Sequence, residues 1–162
     1  RDWVNLTASQ AEQLAEEVTT LAAWKDGQGE LRNFQRIQAR LGDRFTWLGG
    51  VGDDLVGGYY GIGIRRFTSS ISSIAPKLSI LLHETGAASD TAALEKLTKE
   101  HVLPLYNLRA RRKGYEVSAM KALLELAGKA GGPVRPPLVD PRPEEIDELK
   151  AILDGWAQAN LL

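Results

Sequence analysis

The sequence predicts an α/β chain. About three β/α units, of the kind that close into a (β/α)8 barrel, occupy residues 1–89, and an all-helical extension occupies 90–162. Three observations carry this expectation. Short apolar runs recur at intervals of about 20 to 24 residues with helix-length segments between them, the spacing of parallel strands joined by helical crossovers. No strand pattern follows Asp90. Three parallel strands alone would leave two unpaired edges, which barrel closure removes.

The elements follow in order. Thr7-Ala-Ser-Gln10 is a capping-box pattern, and Leu14 and Val18 continue at helical spacing, so a helix is expected over 8–18. Residues 21–24, Leu-Ala-Ala-Trp, read as a buried strand ending at Lys25, with Asp26-Gly-Gln-Gly29 as the loop beyond. Leu31, Phe34, Ile37 and Leu41 share one face of a helix over 30–41, which Gly42 ends. A second strand over 45–48 runs into Gly49-Gly-Val-Gly52, then a helix over 53–62. A third strand over 66–68 leads through Ser69, Ser70, Ser72 and Ser73 to a helix over 74–87, with Pro76 in its first turn. The extension reads as one long helix over 91–113, bent at Pro104, a helix over 115–127, a proline-stiffened connector over 131–137 and a last helix over 143–159.

Composition narrows the chemistry. The chain has 162 residues and is 43% apolar and 25% charged, with a net charge of −1. That is ordinary for a globular protein and gives no electrostatic case for nucleic acid. No apolar run is long enough to cross a membrane as a helix. With no Cys and two His, disulfides, thiolate nucleophiles and a His-based zinc site are not expected, and the cytoplasm is the default compartment. The chain begins with Arg1, so a piece of a longer protein is expected.

In β/α barrels functional groups sit where strands end. Lys25 is the sharpest candidate. An amine at an apolar barrel mouth loses hydration, its pKa falls, and it attacks carbonyls; the competing reading is a surface lysine that ends a strand. Gly49 and Gly50 read as tight turns and close packing, with a substrate wall of bare backbone as the second reading. The Gly-rich stretch is no phosphate loop, since the Gly-Lys-Ser/Thr signature is missing and Asp53 and Asp54 follow. The serines after the third strand either bind a polar substrate group or cap the next helix. Arg109, Arg111, Arg112 and Lys113 read as cations at a helix C-terminus, and His83 and His101 as helix-face residues.

Five stretches resemble a known family. "LAAWKDGQGE" (21–30) looks like the strand carrying the Schiff-base lysine in the dihydrodipicolinate synthase and N-acetylneuraminate lyase family. "GGVGDD" (49–54) is similar to its next strand end, and "SSISSIAPKL" (69–78) resembles its last strand and following helix. "RKGYEVSAMKA" (112–122) and "GPVRPPL" (132–138) look more like the family's 5-dehydro-4-deoxyglucarate dehydratase branch. The resemblance implies the C-terminal half of a TIM barrel of class I aldolase type. It implies Lys25 as the catalytic residue and no metal or organic cofactor. Ser69, Ser70, Ser73, Gly49 and Gly50 are the expected substrate contacts. The family's catalytic Tyr and carboxylate-binding turn would lie upstream of Arg1. The implied partners are a 2-keto acid substrate, the N-terminal half of the barrel, and further copies in a homotetramer or dimer. The implied reaction is dehydration and decarboxylation of 5-dehydro-4-deoxyglucarate. Ser73 stands where that branch usually has Asn, and "GGVGDD" is closer to the synthase branch, so a synthase or another 2-keto acid aldolase is the alternative. A half-barrel that only packs on a partner is the reading from a different class.

Overall fold

The computed structural model describes residues 4–162, so the expectation attached to Arg1 lies outside the described residues. The first helix, α1 (Ala8–Glu17), begins at Thr7. The Thr7 hydroxyl accepts from Gln10 N–H at 3.3 Å and the Gln10 side chain accepts from Thr7 N–H at 2.9 Å, the reciprocal bonds of a capping box. Strand β1 (Ala23–Lys25) leads to α2 (Leu31–Leu41), whose Phe34 and Ile37 are buried and whose first turn is capped by Glu30. Strand β2 (Thr46–Leu48) then lies parallel to β1, pairing Ala23 with Thr46, Trp24 with Trp47 and Lys25 with Leu48. Alternation along a strand sends Trp24 and Trp47 toward the helices, where they meet Phe45 and Phe34. Lys25 and its partner Leu48 therefore share the opposite face.

The expected third strand is reduced to a single bridge between Gly49 and Phe67. Gly49 N–H donates to Arg66 and Gly49 C=O accepts from Thr68, both at 2.8 Å. The ladder stops there because the next donor on that side, Val51 N–H, goes to the Tyr59 hydroxyl instead. On the other side, Ser70 and Ile71 N–H turn to the Asp53 carboxylate.

The expected helix over 53–62 opens as a 3-10 turn, Asp53–Leu55, and continues as α3 (Val56–Gly61). A second 3-10 turn, Ile71–Ser73, precedes α4 (Pro76–Ala87). The long helix expected over 91–113 is divided into α5 (Thr91–Leu97), a π-helical turn (Thr98–Val102) and α6 (Leu103–Arg109). Pro104 has no N–H to offer the preceding turn, and Trp156 Nε1 donates to the His101 carbonyl at 2.9 Å. Gly114, at φ +99°, adopts a conformation that favours glycine, and the Leu138 side chain occupies the space a Cβ would need.

The last two helices are α7 (Tyr115–Leu126) and α8 (Pro143–Gln158). They are joined at their starts by Tyr115, whose hydroxyl donates to Glu145 at 2.6 Å. One core runs through both parts of the chain, with Val56, Leu78, Leu82, Leu105, Leu123 and Trp156 all fully or almost fully buried.

Candidate active site

Lys25 ends β1 on the face turned away from the helices, and its side chain is exposed. A cavity of about 160 Å³ lies beside it, bordered also by Asn5, Leu6, Trp24, Asp26 and Asn33. The alkyl stem of Lys25 rests on Gly50. A Cβ at Gly50 would stand 2.6 Å from Lys25 Cγ and Cε and 2.0 Å from the Asp26 carbonyl oxygen. Bare backbone at residue 50 is thus the condition for the lysine stem to lie where it does. Gly49 is equally constrained, because a Cβ there would fall 2.4 Å from the Tyr59 ring.

Asp26, next after the lysine, is 5% exposed. Its Oδ1 accepts from Gln28 N–H at 2.9 Å, and its Oδ2 accepts from Gly29 N–H at 3.1 Å and from the Tyr59 hydroxyl at 2.8 Å. Burial, and then the Asp26 hydrogen bond, push the Tyr59 phenol well above its ordinary value, so it stays protonated.

A second buried acid joins the later strand ends. Asp53 is fully buried. Its Oδ2 accepts from Ser70 N–H and Ser70 Oγ at 3.2 Å and from the Tyr106 hydroxyl at 3.0 Å, while Asp53 N–H donates back to Tyr106 Oη at 2.7 Å. Arg109 Nη1 donates to Ser70 Oγ at 3.0 Å, and its guanidinium lies 4.4 Å from the centre of the Tyr106 ring. Burial, with the Asp53 charge, pushes Tyr106 up to about 12. Helix α6, in the extension, is therefore tied to two strand ends.

The structure brings Lys25 and Gly50 into contact and places Gly49 immediately behind them. The serines sit after the third strand with their hydroxyls engaged. Ser69 Oγ accepts from Ser72 N–H at 3.0 Å and pairs with Ser79 Oγ at 2.6 Å, Ser70 is shared between Asp53 and Arg109, and Ser73 Oγ donates to the Ser70 carbonyl at 2.9 Å. The next helix, α4, has no side-chain cap. Sequence reasoning passed over Asp26, Tyr59, Asp53, Tyr106 and Arg109 as members of this region. A trace existed for Asp26, a carboxylate directly following a strand-end lysine. Nothing local marks Tyr59 or Tyr106, whose partners are 33 and 53 residues away. Among the described residues no group of three or more His, Cys, Asp or Glu is placed to hold a metal, and no helix is long and apolar enough to cross a membrane.

Residues 1–155 match the sequence model of the dihydrodipicolinate synthetase family. A protein of Allorhizobium ampelinum called "Probable 5-dehydro-4-deoxyglucarate dehydratase" is 36% identical over 160 residues, which are 98% of this chain and 53% of that protein. A protein of Pseudomonas savastanoi with the same name is 37% identical over 156 residues, 95% of this chain and 52% of its own. Among solved structures, dihydrodipicolinate synthase from Oceanobacillus iheyensis superposes with a TM-score of 0.83 at 21% identity, covering 94% of this chain and 51% of that one. N-acetylneuraminate lyase from Aliivibrio salmonicida gives 0.79 at 22% identity, covering 99% and 51%. The chain spans about half the length of the relatives it matches.

Proposed function

Because this chain belongs to the dihydrodipicolinate synthetase family and has the fold of the C-terminal portion of a TIM barrel with a helical extension, we propose that it is the lysine-bearing half of a Schiff-base-forming lyase. The substrate is a 2-keto sugar acid, and dehydration with decarboxylation of 5-dehydro-4-deoxyglucarate is the reaction favoured. Curated relatives of that name, among them the two described above, support the choice of substrate. The observation that carries the chemistry is Lys25, at the C-terminal end of β1 on the face away from the helices, its stem seated on Gly50.

The unprotonated Lys25 amine attacks the C2 ketone, and the carbinolamine loses water to give a protonated imine. The imine withdraws the electron pair left when a proton leaves C3. That pair then expels hydroxide from the neighbouring carbon, loss of CO2 sends a second electron pair into the conjugated imine, and protons taken up at carbon restore the imine. Water finally hydrolyses the imine and frees Lys25. Gly49 and Gly50 form a wall of backbone beside the amine, and Ser69, Ser70 and Ser73 receive the polar end of the substrate, exchanging for it the partners their hydroxyls hold within the protein. Tyr59 is no substitute for a proton relay, since its hydroxyl already donates once and accepts twice inside the protein.

The remaining half of the barrel, carrying the proton relay, is the required partner. The barrel part ends at residue 89, and the assembly is a cytoplasmic dimer or tetramer. Surface area supports a missing neighbour. The chain exposes 9,499 Å², against roughly 8,000 Å² for a self-contained globule of this mass, and a surplus of about 1,500 Å² is roughly twice one partner's share of a standard interface. The test is borohydride reduction of the chain assembled with its upstream half in the presence of a 2-keto acid. The ligand mass should appear on Lys25; labelling that maps elsewhere, or persists in Lys25→Ala, overturns the reading. A panel of 2-keto acids separates the dehydratase from a synthase or aldolase of the same family.

A further inference from the structure

We infer that Asp26 and Tyr59 form a positioning pair that aims Lys25, acting through the backbone of residues 49–51; the inference rests on Lys25 being the imine-forming residue. The chain of contacts is short, and it starts from two buried side chains, Asp26 and Tyr59. Asp26 Oδ2 holds the Tyr59 hydroxyl at 2.8 Å. The oxygen so oriented takes two consecutive backbone donors, Gly50 and Val51 N–H, each at 3.3 Å. The Tyr59 ring lies directly on Gly49 and meets Phe34 edge-on with ring centres 6.2 Å apart. Gly50, fixed in this way, is the surface against which Lys25 Cγ and Cε lie. Tyr59 is 0% exposed, so neither water nor substrate replaces its hydroxyl.

The arrangement suits an imine-forming amine. Lysine brings four rotatable bonds to a reaction that requires its nitrogen on one line of approach to the ketone. The strand fixes Lys25 Cα, and the Gly50 floor fixes the middle of the stem. Asp26 adds a second constraint, because its own backbone is part of that floor: Asp26 N–H pairs with Leu48 O at 2.9 Å, and its carbonyl oxygen faces Gly50 Cα. One residue thus ties the strand end to the turn through both backbone and side chain.

The test uses the chain assembled with its upstream half, with borohydride trapping as a count of competent sites. Tyr59→Phe removes the hydroxyl and keeps the ring. We expect kcat per trapped site to fall at least tenfold, with KM changed less than threefold. Asp26→Asn retains a carbonyl acceptor for the hydroxyl and should lose less than Asp26→Ala; that ordering is the conservative rescue. A purely structural pair would lower the melting temperature and the number of trapped sites while leaving kcat per trapped site unchanged, and that result overturns the inference. Equal losses in Asp26→Asn and Asp26→Ala also count against it, since the acceptor would then be irrelevant. Wild-type protein that does not trap at Lys25 overturns the lyase reading and this inference with it, whereas failure of the pair alone shows in the variants of a wild type that traps.

Discussion

Tyr106→Phe is the sharpest test of how the helical extension is attached. The substitution removes one oxygen and leaves the ring under Arg109. The lost oxygen makes two bonds: it donates to the Asp53 carboxylate at 3.0 Å and accepts Asp53 N–H at 2.7 Å. Asp53 is fully buried, so water does not replace either partner without rearrangement. A hydrogen bond to a charged acceptor is worth about 1.5–3 kcal/mol and a neutral one about 0.5–1.5 kcal/mol, which together give an expected loss of about 2–4.5 kcal/mol. For a chain of this size each kcal/mol moves the melting temperature by about 2–4 °C, so a fall of about 4–18 °C should appear in thermal unfolding followed by circular dichroism, with urea unfolding as the equilibrium check. A loss below about 0.5 kcal/mol, the level of an ordinary surface substitution, would show that α6 does not hold Asp53 in solution.

Three further outcomes are expected. Gly50→Ala should abolish trapping at Lys25, because the new Cβ needs space held by the Lys25 stem and the Asp26 carbonyl; trapping at the wild-type rate would refute the packing described. The double variant Ser69→Ala, Ser70→Ala should lose at least tenfold in kcat/KM, about 1.4 kcal/mol, and a lower melting temperature with unchanged kcat/KM would remove both serines from the substrate site. Tyr59 and Tyr106 are raised above their ordinary value of 10.0, first by burial. The stability they add is therefore complete below about pH 10; the Tyr106 share drains away as pH rises through about 12, and the Tyr59 share at still higher pH. Tyr106→Phe should flatten that alkaline limb, and an unchanged limb would contradict the assignment.

The parts of the fold legible in the sequence are those written in neighbouring residues. Thr7 and Gln10 announce α1 because a capping box is closed within four residues, and Phe34 and Ile37 announce α2 because one face of a helix is visible at that spacing. The third strand misleads because Arg66-Phe-Thr68 has strand character, while its pairing depends on where the Val51 donor goes, and a tyrosine from α3 decides that. The break at residues 98–102 was half visible: Pro104 signals a bend, but the Trp156 side chain that takes the His101 carbonyl comes from α8. In the site, Lys25 and Gly50 stood out because each ends a strand. The buried acids did not, since Asp53 reads as a helix-start carboxylate until Tyr106 and Ser70 are seen to surround it.

Gly49 makes the backbone hydrogen bonds between the third strand and β2, one donated and one accepted. So small a joint is expected to open far more often than the β1–β2 ladder, as a local event that leaves the core intact. In deuterium exchange the Thr68 amide should therefore become labelled well before those of Asp26 and Thr46, which belong to that ladder. The rest of the third strand's hold comes from side chains, with the Phe67 ring edge-on to Tyr60 and the Tyr60 hydroxyl donating to the Arg65 carbonyl. Lys25, on the far side of β2, should keep its place while this joint opens.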